Sequence, residues 1–204
     1  MSPADAREYL EFYETGLGRE ILRREADYVR AWLGGCKRIL DVGCGPGVFE
    51  EELKELDITG VDSSPEMLEA ARAIADNQFV LGSAEELPFT ESSFDGLFFI
   101  TSLEFTSDYQ KALAEAARVL SKGGRLLVLM FNPGSAYFKG MLAKEGYTKM
   151  NIQHTDMSLE NVEGYISKRF GTTGEYVLGI DGGRISPSQH PRHAALYAIK
   201  GSKE

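Results

Sequence analysis

Apolar positions along this chain follow two alternating rhythms. Leu22, Ala26, Val29 and Leu33 recur at helical spacing and predict a helix over 18–33, stopped by Gly34-Gly35. Arg38–Val42 then reads as a buried strand, followed by a glycine-rich loop and a helix from about Gly47 to Leu56. Ile58–Asp62 is a second strand. Pro65 opens the next helix at a position where a missing N–H costs nothing, Ser63 or Ser64 can cap it, and Met67, Leu68, Ala71, Ile74 and Ala75 carry it on. Phe79–Leu81 and Phe94–Thr101 read as third and fourth strands. Tyr109, Ala112, Leu113, Ala116 and Leu120 mark a helix ending at Gly123-Gly124, and Arg125–Phe131 is a fifth strand.

After Asn132-Pro133 the pattern weakens. Residues 135–150 read as one amphipathic helix with an irregular end, and Ser158–Phe170 as a helix capped by Ser158. Glu175–Ile180 and Ala194–Lys200 read as two more strands, separated by the turn-rich loop 181–193. Seven strands alternating with helices predict an α/β fold: a mostly parallel sheet with helices on both faces and an antiparallel C-terminal strand pair.

Composition narrows the class. With 204 residues, 43% hydrophobic and 26% charged, the chain fits one globular domain, and no apolar run approaches the roughly 20 residues that cross a bilayer. The N-terminus lacks an apolar signal core, so the expected location is cytoplasmic, with no membrane partner. A net charge of -9 makes nucleic acid an unfavoured partner. The basic cluster Arg19, Arg23, Arg24 and Arg30 is interleaved with Glu20, Glu25 and Asp27 and reads as a solvated helix face. Cys36 and Cys44 are too few for a disulfide framework or a metal site, and no metal is expected.

The chemistry concentrates in Asp41-Val42-Gly43-Cys44-Gly45-Pro46-Gly47, between a strand and a helix. Glycines there let a ligand approach the backbone, and helix N–H groups suit an anionic group. Asp62 ends the second strand, where a carboxylate can accept hydrogen bonds from ribose hydroxyls. The pattern is not G-x-G-x-x-G, because Val48 stands at its third glycine, and no phosphate-anchoring lysine follows.

Five motifs in order carry a resemblance to a known family: DVGCGPG at 41–47, GVDSSPEMLEAAR at 60–72, GSAEELPF at 82–89, FDGLFFITSLEF at 94–105 and EAARVLSKGGRLLVL at 115–129. The chain resembles the class I S-adenosylmethionine-dependent methyltransferases, in particular the small-molecule branch that includes the quinone-biosynthesis enzymes. The resemblance implies a Rossmann-like fold, S-adenosyl-L-methionine as cofactor and a small-molecule methyl acceptor. It divides the chain into N-terminal cap helices at 1–33, a cofactor-binding core at 38–131 and a divergent substrate-side region at 132–204. Residues 12–29 resemble the helix that covers the cofactor. Gly43, Cys44 and Gly45 would line the methionine part, with Asp41 supporting the loop. Asp62 would hold the ribose, and Ser63 and Met67 would lie beside the adenine or ribose. Ala84 would offer its N–H to adenine, with Glu85 as its neighbour. Thr101 and Ser102 would face the methionine amino group and the methyl. Ser83 stands where many relatives carry aspartate, which shifts adenine recognition toward a neutral hydroxyl or toward Glu85.

Methyl transfer from a sulfonium is an in-line displacement whose leaving group, a neutral thioether, needs no proton. The sequence assigns no base; the candidates are Tyr13, His154 and His190, while Glu104 reads as facing a helix junction. Tyr137, Phe138, Met141, Leu142 and Tyr147 form either an apolar cap over the acceptor or part of the sheet's cover. The alternatives are a catalytically inactive S-adenosylmethionine-binding regulator or partner subunit, and a protein or RNA methyltransferase. The chain is expected to act as a monomer or a homodimer.

Overall fold

The buried run Ile39–Val42 sits at the centre of the molecule because both of its faces are covered, as parallel strands require. The computed structural model describes residues 3–143 and 157–204. Helices α1 (Pro3–Glu14) and α2 (Gly16–Leu33) precede β1 (Ile39–Val42). Then follow α3 (Val48–Glu52), β2 (Ile58–Asp62), α4 (Pro65–Ile74), β3 (Gln78–Leu81), β4 (Phe94–Ile100), a 3-10 turn (Leu103–Phe105) and α5 (Tyr109–Val119). The chain continues with β5 (Leu120–Phe131), α6 (Ala136–Leu142), α7 (Leu159–Ile166), β6 (Phe170–Asp181), β7 (Arg184–Ser186) and β8 (Ala194–Lys203). The strands form one sheet in the order β3-β2-β1-β4-β5-β8-β6-β7. The first five are parallel, and β8, β6 and β7 are antiparallel to their neighbours.

Side chains of adjacent strand residues go to opposite faces. Leu126, Val128 and Met130 of β5 pack with Leu97 and Phe99 of β4 against Ala112, Leu113 and Ala116 of α5 and Val162 and Ile166 of α7. Leu127 and Leu129 pack with Phe98 and Ile100 against Ile21, Val29 and Leu33 of α2 and Phe49 of α3. Truncating a fully buried ring such as Phe98 would remove about 3–5 kcal/mol.

The α/β class, the parallel core and the antiparallel C-terminal strands match the expectation, but the sheet has eight strands rather than seven. The extra one, β7, lies inside the loop read from 181–193, where Gly182 and Gly183 take positive φ and turn the chain back onto β6. The helix expected from Gly47 to Leu56 is shorter, with Leu53 as its C-cap. Helix α5 ends at Val119 rather than at Gly123-Gly124. Leu120 already pairs with Phe94, and Gly123, at φ +76°, absorbs the register shift before Arg125 pairs with Gly96. Ser64, not Ser63, caps α4. The helix expected over 135–150 is described as Ala136–Leu142, and its remainder lies outside the described residues.

The segment expected as a single covering helix breaks at Thr15. The Thr15 hydroxyl accepts from the Gly18 N–H at 3.0 Å, and α1 folds back onto α2 and α4. Gly18 makes the corner possible: a Cβ there would stand 2.1 Å from the Phe12 carbonyl oxygen.

Helix α2 also buries a carboxyl group. Glu25 is 4% exposed, its Oε2 has no hydrogen-bond partner, and burial pushes its pKa up to about 8. The folded protein therefore holds a proton there that the unfolded chain releases near pH 4.5. Stability from this group is full below that pH and is lost as pH rises through about 8. Glu25→Gln should leave urea stability unchanged near pH 4.5 and exceed wild type by on the order of 3 kcal/mol at pH 9; equal stabilities at both pH values would contradict this.

Candidate functional site

The parallel strands end along one edge of the sheet, and the order reverses between β1 and β4. Such a switch point opens a crevice at the strand ends. The glycine loop rises from β1 on one side of this crevice and the turn after β4 on the other.

Gly43 and Ser102 meet across it. Gly43 has φ +78°, and a Cβ there would fall 2.6 Å from Ser102 Cβ. Ser102 Oγ donates to the Val42 carbonyl at 2.6 Å. Thr101 delivers Ser102 to this place from a strained backbone, φ +45°, while its N–H stays bonded to Leu129 O at 2.8 Å. A β-branched residue in that region costs on the order of 1–3 kcal/mol, and such strain concentrates at functional sites. Gly45, at φ +54°, differs: nothing lies within 4 Å of the position its Cβ would take. Gly47, at φ +78°, closes the loop against Ala71 of α4.

Asp62 locks the loop to β2. Its Oδ2 accepts from the Gly45 N–H and its Oδ1 from the Ser64 N–H, both at 2.9 Å. Each carboxylate oxygen keeps a further lone pair for a ligand hydroxyl. Ser64 Oγ accepts from the Met67 N–H, which seats Met67 in the core at 2% exposure; Ser63 beside it is exposed. Beyond β3, Ser83 Oγ accepts from the Glu85 N–H at 3.2 Å. Ala84 is half-buried above this turn. Glu85 turns its carboxylate away, accepting from the Ser107 N–H at 2.6 Å and the Asp108 N–H at 3.0 Å. It braces the entry to α5, so the expected shift of adenine recognition to Glu85 finds its carboxylate already engaged.

Beneath the loop lies a group of acids. Asp41 is 2% exposed with Oδ2 unpartnered, and burial, Glu50 and Asp62 hold its pKa well above the carboxylate range. Burial, then the same three carboxylates, push the Cys44 thiol far up, so this cysteine is a packing residue and not a nucleophile. Glu50 had no place in the sequence reading. It is completely buried, and its only sequence mark is a position on the inward face of the acidic run Phe49-Glu50-Glu51-Glu52.

Of the base candidates, Tyr13 and His190 lie among the described residues. Tyr13 is half-buried on α1 with its hydroxyl 3.4 Å from that of Tyr9. His190 is exposed, and its Nδ1 accepts from the Arg192 N–H within its own loop. Asn132 brings that loop to the end of β5 by donating to the Pro191 and Ala194 carbonyls. His154 and Tyr147 lie outside the described residues. Glu104 ends β4's partnership with β5: its Oε1 accepts from the Phe131 N–H at 2.8 Å, and burial pushes its pKa up to about 7. Phe138 and Met141 are buried over the sheet, with Phe138 5.4 Å from the Phe131 ring; Tyr137 is half-buried and Leu142 is exposed. Among the described residues, no cluster suits a metal ion and no helix is long and apolar enough to cross a membrane. Gly43→Ala should cost about 3 kcal/mol in urea unfolding, combining left-handed strain with the clash against Ser102, and Gly45→Ala only about 1 kcal/mol. Equal losses would contradict the different surroundings of the two glycines.

Residues 40–128 match the family described as methyltransferase domain. A demethylmenaquinone methyltransferase of Thermotoga maritima is 37% identical over 112 residues, covering 52% of this chain and 49% of the relative. One of Deinococcus radiodurans is 36% identical, covering 60% and 58%. The chain thus spans about half the length of the curated relatives it matches. A solved S-adenosylmethionine-dependent methyltransferase of Thermotoga maritima, described as a possible histamine N-methyltransferase, superposes with a TM-score of 0.81 at 26% identity, covering 99% of this chain and 98% of that one. One from Archaeoglobus fulgidus, 19% identical with a TM-score of 0.75 over 96% of this chain and 99% of that one, shares the fold. By its fold and by the methyltransferase domain that residues 40–128 match, the chain resembles the class I S-adenosylmethionine-dependent methyltransferases, and among them the quinone-biosynthesis members.

Proposed function

We propose that this chain binds S-adenosyl-L-methionine at the β1–β4 crevice and transfers its methyl group to a small-molecule acceptor. The observation that carries the reading is the open space over Gly45, bounded by a carboxylate that two backbone N–H groups hold in place. The cradle fits the cofactor. Gly43, Cys44 and Gly45 present backbone to the methionine end and Asp41 supports them; Asp62 receives the ribose, and Ser63 and Met67 flank it. Ser83 and the Ala84 N–H meet the adenine, and Thr101 and Ser102 border the methionine and methyl. When bound, the cofactor supplies an electrophilic methyl on a cationic sulfur.

The chain's part is alignment and exclusion of water. Ser102 and Gly43 fix the separation of the two loops that border the reacting carbon, which favours an in-line approach. The acceptor enters from the β5 side, where Phe131, Asn132 and α6 lie beyond Ser102. An amine acceptor would need no strong base, whereas a phenol or carbon acid would draw on Tyr13, His154 or His190. The quinone-biosynthesis resemblance, the net charge of -9 and the aromatic residues near the end of β5 favour a small, partly apolar acceptor.

Titration calorimetry with S-adenosylmethionine, S-adenosylhomocysteine and NAD should give micromolar binding of the first two and no response to the third. Asp62→Ala should weaken both adenosyl ligands about 10–100-fold. Gly45→Ala should weaken them at least about tenfold while keeping the fold, because its methyl group enters the ligand space. Binding unaffected by either substitution would overturn the placement. Tight binding without methyl transfer to any amine, phenol or thiol acceptor would favour an inactive cofactor-binding partner.

A further inference from the structure

Glu50 is fully buried, and neither of its oxygens has a hydrogen-bond partner. A side chain in that condition loses the full solvation of its charge and gains nothing visible in return. The fold nevertheless makes room for it. Gly60, paired in register with Asp41, faces the carboxyl: a Cβ at Gly60 would stand 2.7 Å from Glu50 Oε1 and 2.8 Å from Cys44 Sγ.

Asp41 of β1, Cys44 of the glycine loop and Asp62 of β2 lie close enough to act on one another electrostatically, and Phe79 of β3 stands against the same Gly60 position. Helix α2, which also packs on α3, sends Arg30 to Glu52 and Glu55. Among the described residues, no lysine, arginine or histidine forms an ion pair with any of these acids. The nearest structural consequence is a floor of buried carboxyl groups that no cation of the described residues pairs with, directly under the loop expected to hold the cationic end of the cofactor.

We propose that Glu50 is a specificity-determining positioning residue: by holding or releasing a proton beneath the glycine loop, it sets how strongly the site prefers the cationic sulfonium cofactor over the neutral thioether product. This inference rests on the cofactor reading above. Burial pushes the Glu50 pKa up to about 7, with Asp62 adding to the rise. Below that pH Glu50 is neutral. Above it the floor gains one negative charge, which attracts a sulfonium and is indifferent to a thioether. A cation bound above the floor lowers the Glu50 pKa, so binding the sulfonium near pH 7 releases a proton and binding the thioether does not.

The test is calorimetry of S-adenosylmethionine and S-adenosylhomocysteine at pH 6 and pH 8.5 on wild type and Glu50→Gln, each in two buffers of different ionisation heat. The amide keeps the shape and stays neutral. Both ligands carry an α-amino group that titrates in wild type and variant alike, so the comparison isolates Glu50. The wild-type preference for the sulfonium should rise about 3–10-fold between the two pH values, with a fraction of a proton released near pH 7. Glu50→Gln should show a preference constant within about twofold and no extra proton release. Its sulfonium affinity at pH 6 should lie close to wild type. The same pH dependence in wild type and variant would overturn the inference, since a merely structural Glu50 leaves the profile unmoved. Should the variant fold poorly, the wild type decides: equal proton exchange for the two ligands would overturn the proposal. Failure of wild type to bind either ligand would overturn the cofactor reading and this inference with it, whereas binding with an unmoved ratio overturns this inference alone.

Discussion

The end of β1 and the end of β4 touch where Ser102 lies against Gly43, and the site depends on that contact. It requires a residue without a Cβ on one side and a left-handed Thr101 on the other. A serine on the β4 side then bonds back to the Val42 carbonyl. The strain in Thr101 is held from both flanks: the Leu129 carbonyl accepts from its N–H, and the Ser102 hydroxyl bonds the Val42 carbonyl. The two loops are thereby arranged before any ligand arrives, which is the condition under which positioning contributes most to a displacement reaction.

A second constraint runs beneath the first. Asp41, Glu50 and Asp62 crowd below the loop, yet only Asp62 has both oxygens served by backbone N–H groups. The fold tolerates the other two by holding protons on them at a pH where exposed carboxylates are ionised. Glu25 and Glu104 follow the same pattern elsewhere in the core. This chain therefore stores acid in its interior, with a stability that declines from mildly acidic toward alkaline pH. Around the glycine loop the same feature gives the floor a charge that pH can change.

Much of this was legible in the sequence. The strand–loop–helix order from Arg38 to Phe131 follows from the alternation of short apolar runs with helical spacing, and the glycine loop with Asp62 announces a nucleotide-like ligand by spacing alone. The misses have physical causes. β7 is three residues long and its pairing with β6 depends on two glycines with positive φ, which a turn-rich stretch does not distinguish from an open loop. The start of β5 was misplaced because Gly123-Gly124 resembles a helix stop, whereas Gly123 serves a bend inside the strand connection. Glu50 was invisible because a run of three glutamates reads as a solvated helix face, and the room for it depends on Gly60 in the next strand of the chain. Glu85 carries a bond that its motif did not announce: its carboxylate accepts from two N–H groups at the entry to α5.

The most direct test of the central claim is a map of backbone amide shifts on the 15N-labelled protein as S-adenosylhomocysteine is added. The account predicts that the largest changes fall on Gly43, Cys44, Gly45, Ser63, Ala84 and Ser102, with little change in α7, β6 or β7. Changes concentrated in α7 and β6, or spread evenly over the sheet, would contradict a cofactor site built on the contact between Gly43 and Ser102.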